Sequence, residues 1–171
     1  VLGRAFSAKT RALVLNSPCN PTGAVLPEGH LREIAELLRQ HPDVWVVTDD
    51  IYERLIYTGA PFHNLLSVAP DLRDRTLVVS GVSKTYAMTG WRIGFGAGPR
   101  ALISAMTTMQ GHATAGVSTV GQAAATAALD GPQDGVAERR AAYRRRRDLV
   151  VDGLNACEGI VCHRPEGAFY V

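Results

Sequence analysis

The chain has 171 residues, 46% of them hydrophobic, which is enough for one packed core and too apolar for a disordered segment. Its net charge of +2 is too small to imply nucleic acid or an acidic membrane as a partner. No apolar run is long enough to span a bilayer, and no signal-peptide pattern opens the chain. Three cysteines without CxxC spacing (Cys19, Cys157, Cys162) suit reduced thiols in the cytoplasm better than a disulfide framework.

In chain order, the apolar run 12–15 closes on the turn-rich stretch Asn16-Ser-Pro-Cys-Asn-Pro-Thr-Gly23 and predicts a buried strand. Pro27 and Glu28 open a helix in which Leu31, Ile34, Ala35, Leu37 and Leu38 recur at helical spacing, and His41-Pro42 end it. Residues 44–48 predict a second buried strand running into Asp49-Asp50. After a polar loop, 76–79 predict a third strand, and Trp91-Arg-Ile-Gly-Phe95 a fourth. Helices are expected over about 100–111, 118–129 and 136–156, and Ile160-Val161-Cys162 is expected as a strand of a second, smaller domain. Strands alternating with helices predict an α/β fold with a mostly parallel sheet covered on both faces. The expected division is 1–135 as part of a large domain and 136–171 as a long connecting helix with the start of a small α+β domain. A start at Val1 and an end at Phe169-Tyr170-Val171, which reads as a strand just beginning, lead us to expect an internal piece of a longer protein.

The run Arg144-Arg-Arg-Arg147, preceded by Arg139 and Arg140, is read as a solvated helix face, with Tyr143, Leu149, Val150 and Leu154 on the other side. None of the five histidines has metal-ligand spacing with another ligand.

Ligands of open α/β sheets bind at the carboxyl ends of the strands. Four strand exits present Asn20, Asp49 with Tyr52, Lys84 and Arg92. Taken singly, each has an ordinary structural reading: turn chemistry for Asn20, a cap or surface acid for Asp49, a surface cation for Lys84, an ion pair for Arg92. Composition sharpens one of them. Sixteen arginines stand against two lysines, Lys9 and Lys84, so a lysine is present where an amine is required. An amine can deprotonate and attack an aldehyde; a guanidinium cannot.

Gly81-Val-Ser-Lys84-Thr-Tyr-Ala-Met-Thr-Gly-Trp-Arg92-Ile-Gly94 resembles the pyridoxal-phosphate attachment signature of class I aminotransferases along its full length. Ser17-Pro-Cys-Asn-Pro-Thr-Gly23, Thr48-Asp-Asp-Ile-Tyr-Glu53 and Pro165-Glu-Gly-Ala-Phe-Tyr170 resemble three further motifs of that family, in its order and at its spacings. The wording around Lys84 is most similar to bacterial aspartate aminotransferases of subgroup Ib, some of which accept prephenate or aromatic amino acids. The resemblance implies the three-layer fold of fold-type I pyridoxal-phosphate enzymes. It also implies pyridoxal 5′-phosphate as cofactor, amino acids and 2-oxo acids as substrates, and a homodimer at full length.

Roles follow from the resemblance. Lys84 would bind the cofactor as a Schiff base and later act as general base at the substrate Cα. Asp49 would pair with the pyridine nitrogen and keep it protonated. Tyr52 would hydrogen-bond the 3′-oxygen, Asn20 that oxygen and the substrate carboxylate, and Arg92 would clamp the phosphate. The choice of Asp49 over Asp50 rests on the family register, since strand neighbours face opposite ways. Tyr86 and Trp91 are read as packing or subunit-contact residues.

The chain departs from the pattern at Gly81, where many relatives have a phosphate-binding serine, and at Thr114-Ala-Gly-Val117, where relatives often have Thr-Ser-Asn-Pro. By the family pattern, a substrate-carboxylate arginine lies beyond Val171 and a glycine-rich phosphate loop before Val1. Carbon–sulfur lyases and aminocyclopropane-carboxylate synthases share the lysine signature, because reaction choice lies in groups lining the substrate. An aminotransferase-like effector domain of a transcription regulator is a further alternative, one that upstream sequence would separate from the enzyme.

Overall fold

The computed structural model describes residues 2–171. At its centre is a four-stranded sheet in the order β1 (Ala12–Asn16), β2 (Trp45–Asp49), β3 (Thr76–Gly81), β4 (Gly94–Ala97). The first three strands are parallel, and β4 runs antiparallel to β3.

Between β1 and β2 lies α1 (Glu28–Arg39), which buries Leu31, Ala35 and Leu38 at i, i+4 and i+7. Ala35 and Leu38 meet Leu13, Leu15 and Val46 from one face of the sheet, together with Val44, Leu65, Ala69 and Leu72. Full burial of a side chain such as Leu38 contributes about 1.5–3 kcal/mol. The connection to β3 contains a four-residue helix α2 (Leu65–Val68), whose capping box is formed by Asn64 and Ser67. A 3-10 turn, Pro70–Arg75, completes that connection, so the polar loop of the sequence reading has structure of its own. The alternate residues Val14 and Trp45 face the other side of the sheet and are 66% and 42% exposed. Near β4 that side is approached by Met106 of α4 (Arg100–Thr114).

Behind β3 stands α3 (Val82–Thr85), and a 3-10 turn, Thr89–Trp91, precedes β4. The fourth strand therefore begins at Gly94 rather than Trp91, because Arg92 adopts a left-handed conformation (φ 57°) that breaks the extended run. Then come α5 (Thr119–Asp130), capped by the Ser118 hydroxyl, and the long α6 (Asp134–Asn155).

Two expectations about α6 and its sequel are corrected. The arginine run is not uniformly solvated. Arg147 is packed over the Tyr57 ring, 4.8 Å from its centroid, and donates to the Pro165 carbonyl at 2.8 Å, while Arg139 donates to the Thr85 carbonyl at 2.6 Å. Leu149, expected on the packed side, is exposed. Residues 160–162 form no strand. No strand lies beside them among the described residues, and the Asn155 side-chain amide takes up both backbone groups of Cys162 (2.8 and 3.0 Å). The stretch Pro165–Tyr170 is likewise not a regular strand: it makes one antiparallel bridge, Gly167 to Ile56.

Candidate active site

The parallel strands β1, β2 and β3 all end at one edge of the sheet. Because β4 is antiparallel, with Gly81 opposite Gly94, its beginning lies at that same edge. Arg92 thus stands at a strand entry, not at an exit as its sequence position suggested, yet it reaches the same edge.

Asn20 sits in the turn after β1. Its backbone N–H donates to Asn16 Oδ1 at 2.7 Å, and Asn16 Nδ2 donates in turn to the Asp49 carbonyl at 3.2 Å. One side chain therefore ties the Asn-Pro-Thr-Gly turn to the end of β2.

Asp49 and Asp50 separate as strand alternation requires. Asp50 is 3% exposed, accepting from the Thr48 hydroxyl and from Asn64 Nδ2, the latter at 2.8 Å. Burial raises its carboxyl above the usual carboxylate range, opposed by those two hydrogen bonds. Asp49 lies on the opposite side and is half-buried, and its Oδ1 accepts only the nearby Ile51 N–H at 3.2 Å. It forms no ion pair among the described residues.

Tyr52 is buried, its hydroxyl 2.5 Å from that of Tyr170. Its phenol is pushed well above its ordinary range, chiefly by burial, then by the Tyr170 hydroxyl and the charge of Asp49, while the Asn20 side chain pulls the other way.

Lys84 lies on α3, directly after β3. Val82 anchors that turn in a cluster with Ile93 and Ala125. Arg139 caps it by binding the Thr85 carbonyl, one of the groups a helix end leaves without an internal partner. The half-buried Lys84 ammonium lies 5.4 Å from the Phe169 ring centroid and 6.0 Å from that of Tyr52. Among the described residues it has neither a hydrogen bond nor an ion pair, so an amine stands against two aromatic rings with its proton-bearing atom uncommitted.

The structure brings Asn20, Asp49, Tyr52 and Lys84 together. Arg92 shares their edge but makes no hydrogen bond to them; its Nη1 donates to the Thr89 carbonyl at 3.0 Å and the side chain is otherwise exposed. A non-glycine residue in the left-handed region costs about 1–2 kcal/mol, a strain that clusters at functional sites. At Gly81 a Cβ would stand 2.8 Å from the Ile93 carbonyl oxygen, which gives a packing reason for the glycine. Tyr86 packs beside the Val82 cluster and bonds Gln133 Oε1 at 2.9 Å, while Trp91 is exposed.

Asn16, Phe169, Tyr170 and Arg139 also frame the site, and none of them stands out in the sequence. Phe169 and Tyr170 lie in a motif that reads as strand, Asn16 in a turn, and Arg139 on a charged helix face.

The sequence matches the family "Aminotransferase class I and II" over residues 2–171. It is 52% identical over 169 residues to an aspartate aminotransferase of Rhizobium meliloti, a match covering 99% of this chain and 41% of that protein. Against an aspartate/prephenate aminotransferase of Cereibacter sphaeroides it is 48% identical over 170 residues, covering 99% of this chain and 42% of that protein. Its fold superposes on the crystal structure of the aspartate aminotransferase from Rhizobium meliloti with a TM-score of 0.95 at 50% identity, over 98% of this chain and 42% of that one. On the aromatic aminotransferase from Pyrococcus horikoshii the TM-score is 0.91 at 42% identity, over 98% of this chain and 44% of that one. The chain thus spans about two fifths of the length of these relatives. With an α/β fold, a mostly parallel sheet and the family's match along nearly all of its length, this chain belongs to the class I and II aminotransferases.

Proposed function

We propose that this chain forms the cofactor-binding part of a pyridoxal-phosphate dependent aminotransferase that acts on aspartate or an aromatic amino acid with 2-oxoglutarate. The observation that carries the reading is the Lys84 amine, free of any ion pair among the described residues and facing the rings of Tyr52 and Phe169, with the carboxylate of Asp49 also unpaired at the end of the neighbouring strand.

The donor set fits the cofactor group by group. A lysine amine suits its aldehyde, a carboxylate its ring nitrogen, a phenol and an amide its ring oxygen, and a guanidinium its phosphate. Asp49 and Lys84 have no ion-pair partner among the described residues, which leaves a carboxylate and an amine available to a ligand that carries both a basic nitrogen and an electrophile.

When bound, pyridoxal phosphate supplies an aldehyde that condenses with amines and a protonated ring that withdraws electrons from the substrate Cα. Lys84 Nζ would hold the cofactor and serve as the base for the proton at the substrate Cα. Asp49 would keep the ring nitrogen protonated. The Tyr52 hydroxyl and the Asn20 amide would orient the ring oxygen, and Arg92 would hold the phosphate with its planar fork. Phe169 and Tyr52 cover one side of Lys84 with their rings. Residues 136–171 lead from this part to a second, smaller domain, and the full-length protein acts as a homodimer in the cytoplasm.

The test is a product assay on the full-length protein with pyridoxal phosphate. Aspartate and 2-oxoglutarate should give oxaloacetate and glutamate, or an aromatic donor its 2-oxo acid. Release of ammonia or a thiol from the donor, with no glutamate formed, would favour a lyase and defeat the reading.

A further inference from the structure

We propose that Tyr170 is a positioning residue for this site: its hydroxyl donates to the Tyr52 oxygen and so frees the single Tyr52 proton for the ligand. The inference rests on the pyridoxal-phosphate reading above and extends it to a residue outside the set of groups assigned to the cofactor.

A phenol has one proton and two lone pairs. The two hydroxyls lie 2.5 Å apart, so one of them must donate to the other. Neither donates to another group among the described residues, so the contact itself leaves open which of them donates. A ligand oxygen beside Tyr52 decides it. It gives the Tyr52 proton a stronger acceptor, and the Tyr170 proton then turns onto the Tyr52 oxygen. Each bond in such a chain polarises the next, so Tyr52 becomes the better donor because Tyr170 stands behind it.

The placement of Tyr170 is fixed from several sides. The Gly167 N–H donates to the Gly23 carbonyl at 2.8 Å and the Ala168 N–H to the Leu55 carbonyl at 2.9 Å. Arg147 of α6 holds the Pro165 carbonyl. Phe169, next to it, stacks on Tyr143 (5.5 Å between centroids, 26° between planes) and meets Tyr52 edge-on. Gly23 closes the turn that contains Asn20. The segment bringing Tyr170 and the turn bringing Asn20 are therefore hydrogen-bonded to each other, and both address the oxygen of Tyr52. An accidental contact between two tyrosines has no reason to be built into such a frame.

The experiment is a pH titration of the cofactor absorption band in the full-length protein loaded with pyridoxal phosphate. Wild type, Tyr170→Phe, Tyr52→Phe and the double variant are compared. Tyr170→Phe keeps the ring and should raise the midpoint by about 0.5–1 unit, a 3- to 10-fold shift in the proton equilibrium, because Tyr52 becomes a weaker donor. In the Tyr52→Phe background the same change should shift nothing. Tyr170→Met, which keeps bulk without a hydroxyl, should reproduce the shift and guards against a folding defect in the first variant. A Tyr170→Phe midpoint equal to wild type overturns the proposal, and so does a shift that persists without the Tyr52 hydroxyl. If wild type shows no cofactor band at all, the pyridoxal-phosphate reading fails first and this inference with it.

Discussion

Gly23 and Gly167 meet backbone to backbone: the Gly167 N–H donates to the Gly23 carbonyl at 2.8 Å, and neither residue has room for a side chain. A Cβ on Gly23 would lie 2.4 Å from Pro165 Cβ, and Gly23 also has φ +65°. A Cβ on Gly167 would lie 2.7 Å from Pro18 Cβ. Gly23→Ala and Gly167→Ala should each destabilise the full-length protein by about 2–4 kcal/mol, from overpacking and, at Gly23, a left-handed backbone as well. Urea unfolding measures this; a loss below 0.5 kcal/mol (about a surface substitution) would contradict the packing.

The two neighbouring aspartates should fail in different ways. Asp49→Ala removes a charge with no ion-pair partner and a single 3.2 Å bond from the Ile51 N–H, so stability should fall by no more than about 1 kcal/mol while kcat falls about 10²–10³-fold, the order seen when one preorganised electrostatic group is lost. Asp50→Ala leaves the Thr48 hydroxyl and the Asn64 amide without their buried acceptor and should cost about 2–4 kcal/mol of stability. Kinetics and denaturation on both variants give four numbers, and a reversed pattern would exchange the two roles.

Arg92→Lys keeps the charge but loses the fork. If the guanidinium grips the phosphate with two hydrogen bonds, cofactor affinity should fall about 10- to 100-fold. Equilibrium dialysis of pyridoxal phosphate reads it directly. Unchanged affinity would return Arg92 to its one visible partner, the Thr89 carbonyl.

Stability at alkaline pH should depend on Tyr57. Its hydroxyl donates to the Ala168 carbonyl, and burial pushes its phenol up to about 12 from an ordinary 10, against the opposing charge of Arg147. A raised folded-state value means the full contribution is present below pH 10 and is lost as pH rises towards 12, where the unfolded chain ionises first. Over that window the wild type should lose about 2–3 kcal/mol more than Tyr57→Phe. Parallel curves for the two proteins would mean that the phenol is not held neutral by the fold.

Much of this arrangement is legible in the residues. The spacing of Leu31, Ala35 and Leu38 specifies a buried helix face, and short apolar runs closed by turn residues mark β1, β2 and β3. Asp49, Tyr52 and Lys84 follow from motif and strand alternation together. What escaped depended on contacts between distant segments. The start of β4 is set by the left-handed conformation at Arg92, which a reading of apolar periodicity passes through as strand. Tyr170 reaches Tyr52 across 118 positions of sequence, and Arg139 reaches Thr85 across 54, so no local pattern announces either. A run of arginines looks uniformly solvated until its neighbours are in place; only then does Arg147 become a packed residue over Tyr57.

The central claim is that Lys84 is the amine that holds the cofactor. The full-length protein is incubated with pyridoxal phosphate, reduced with borohydride, digested, and mapped by mass spectrometry. The added mass should fall on the peptide containing Lys84 and on no other, and Lys84→Ala should give no adduct. An adduct of equal yield in Lys84→Ala, or one mapped to Lys9, would contradict the assignment.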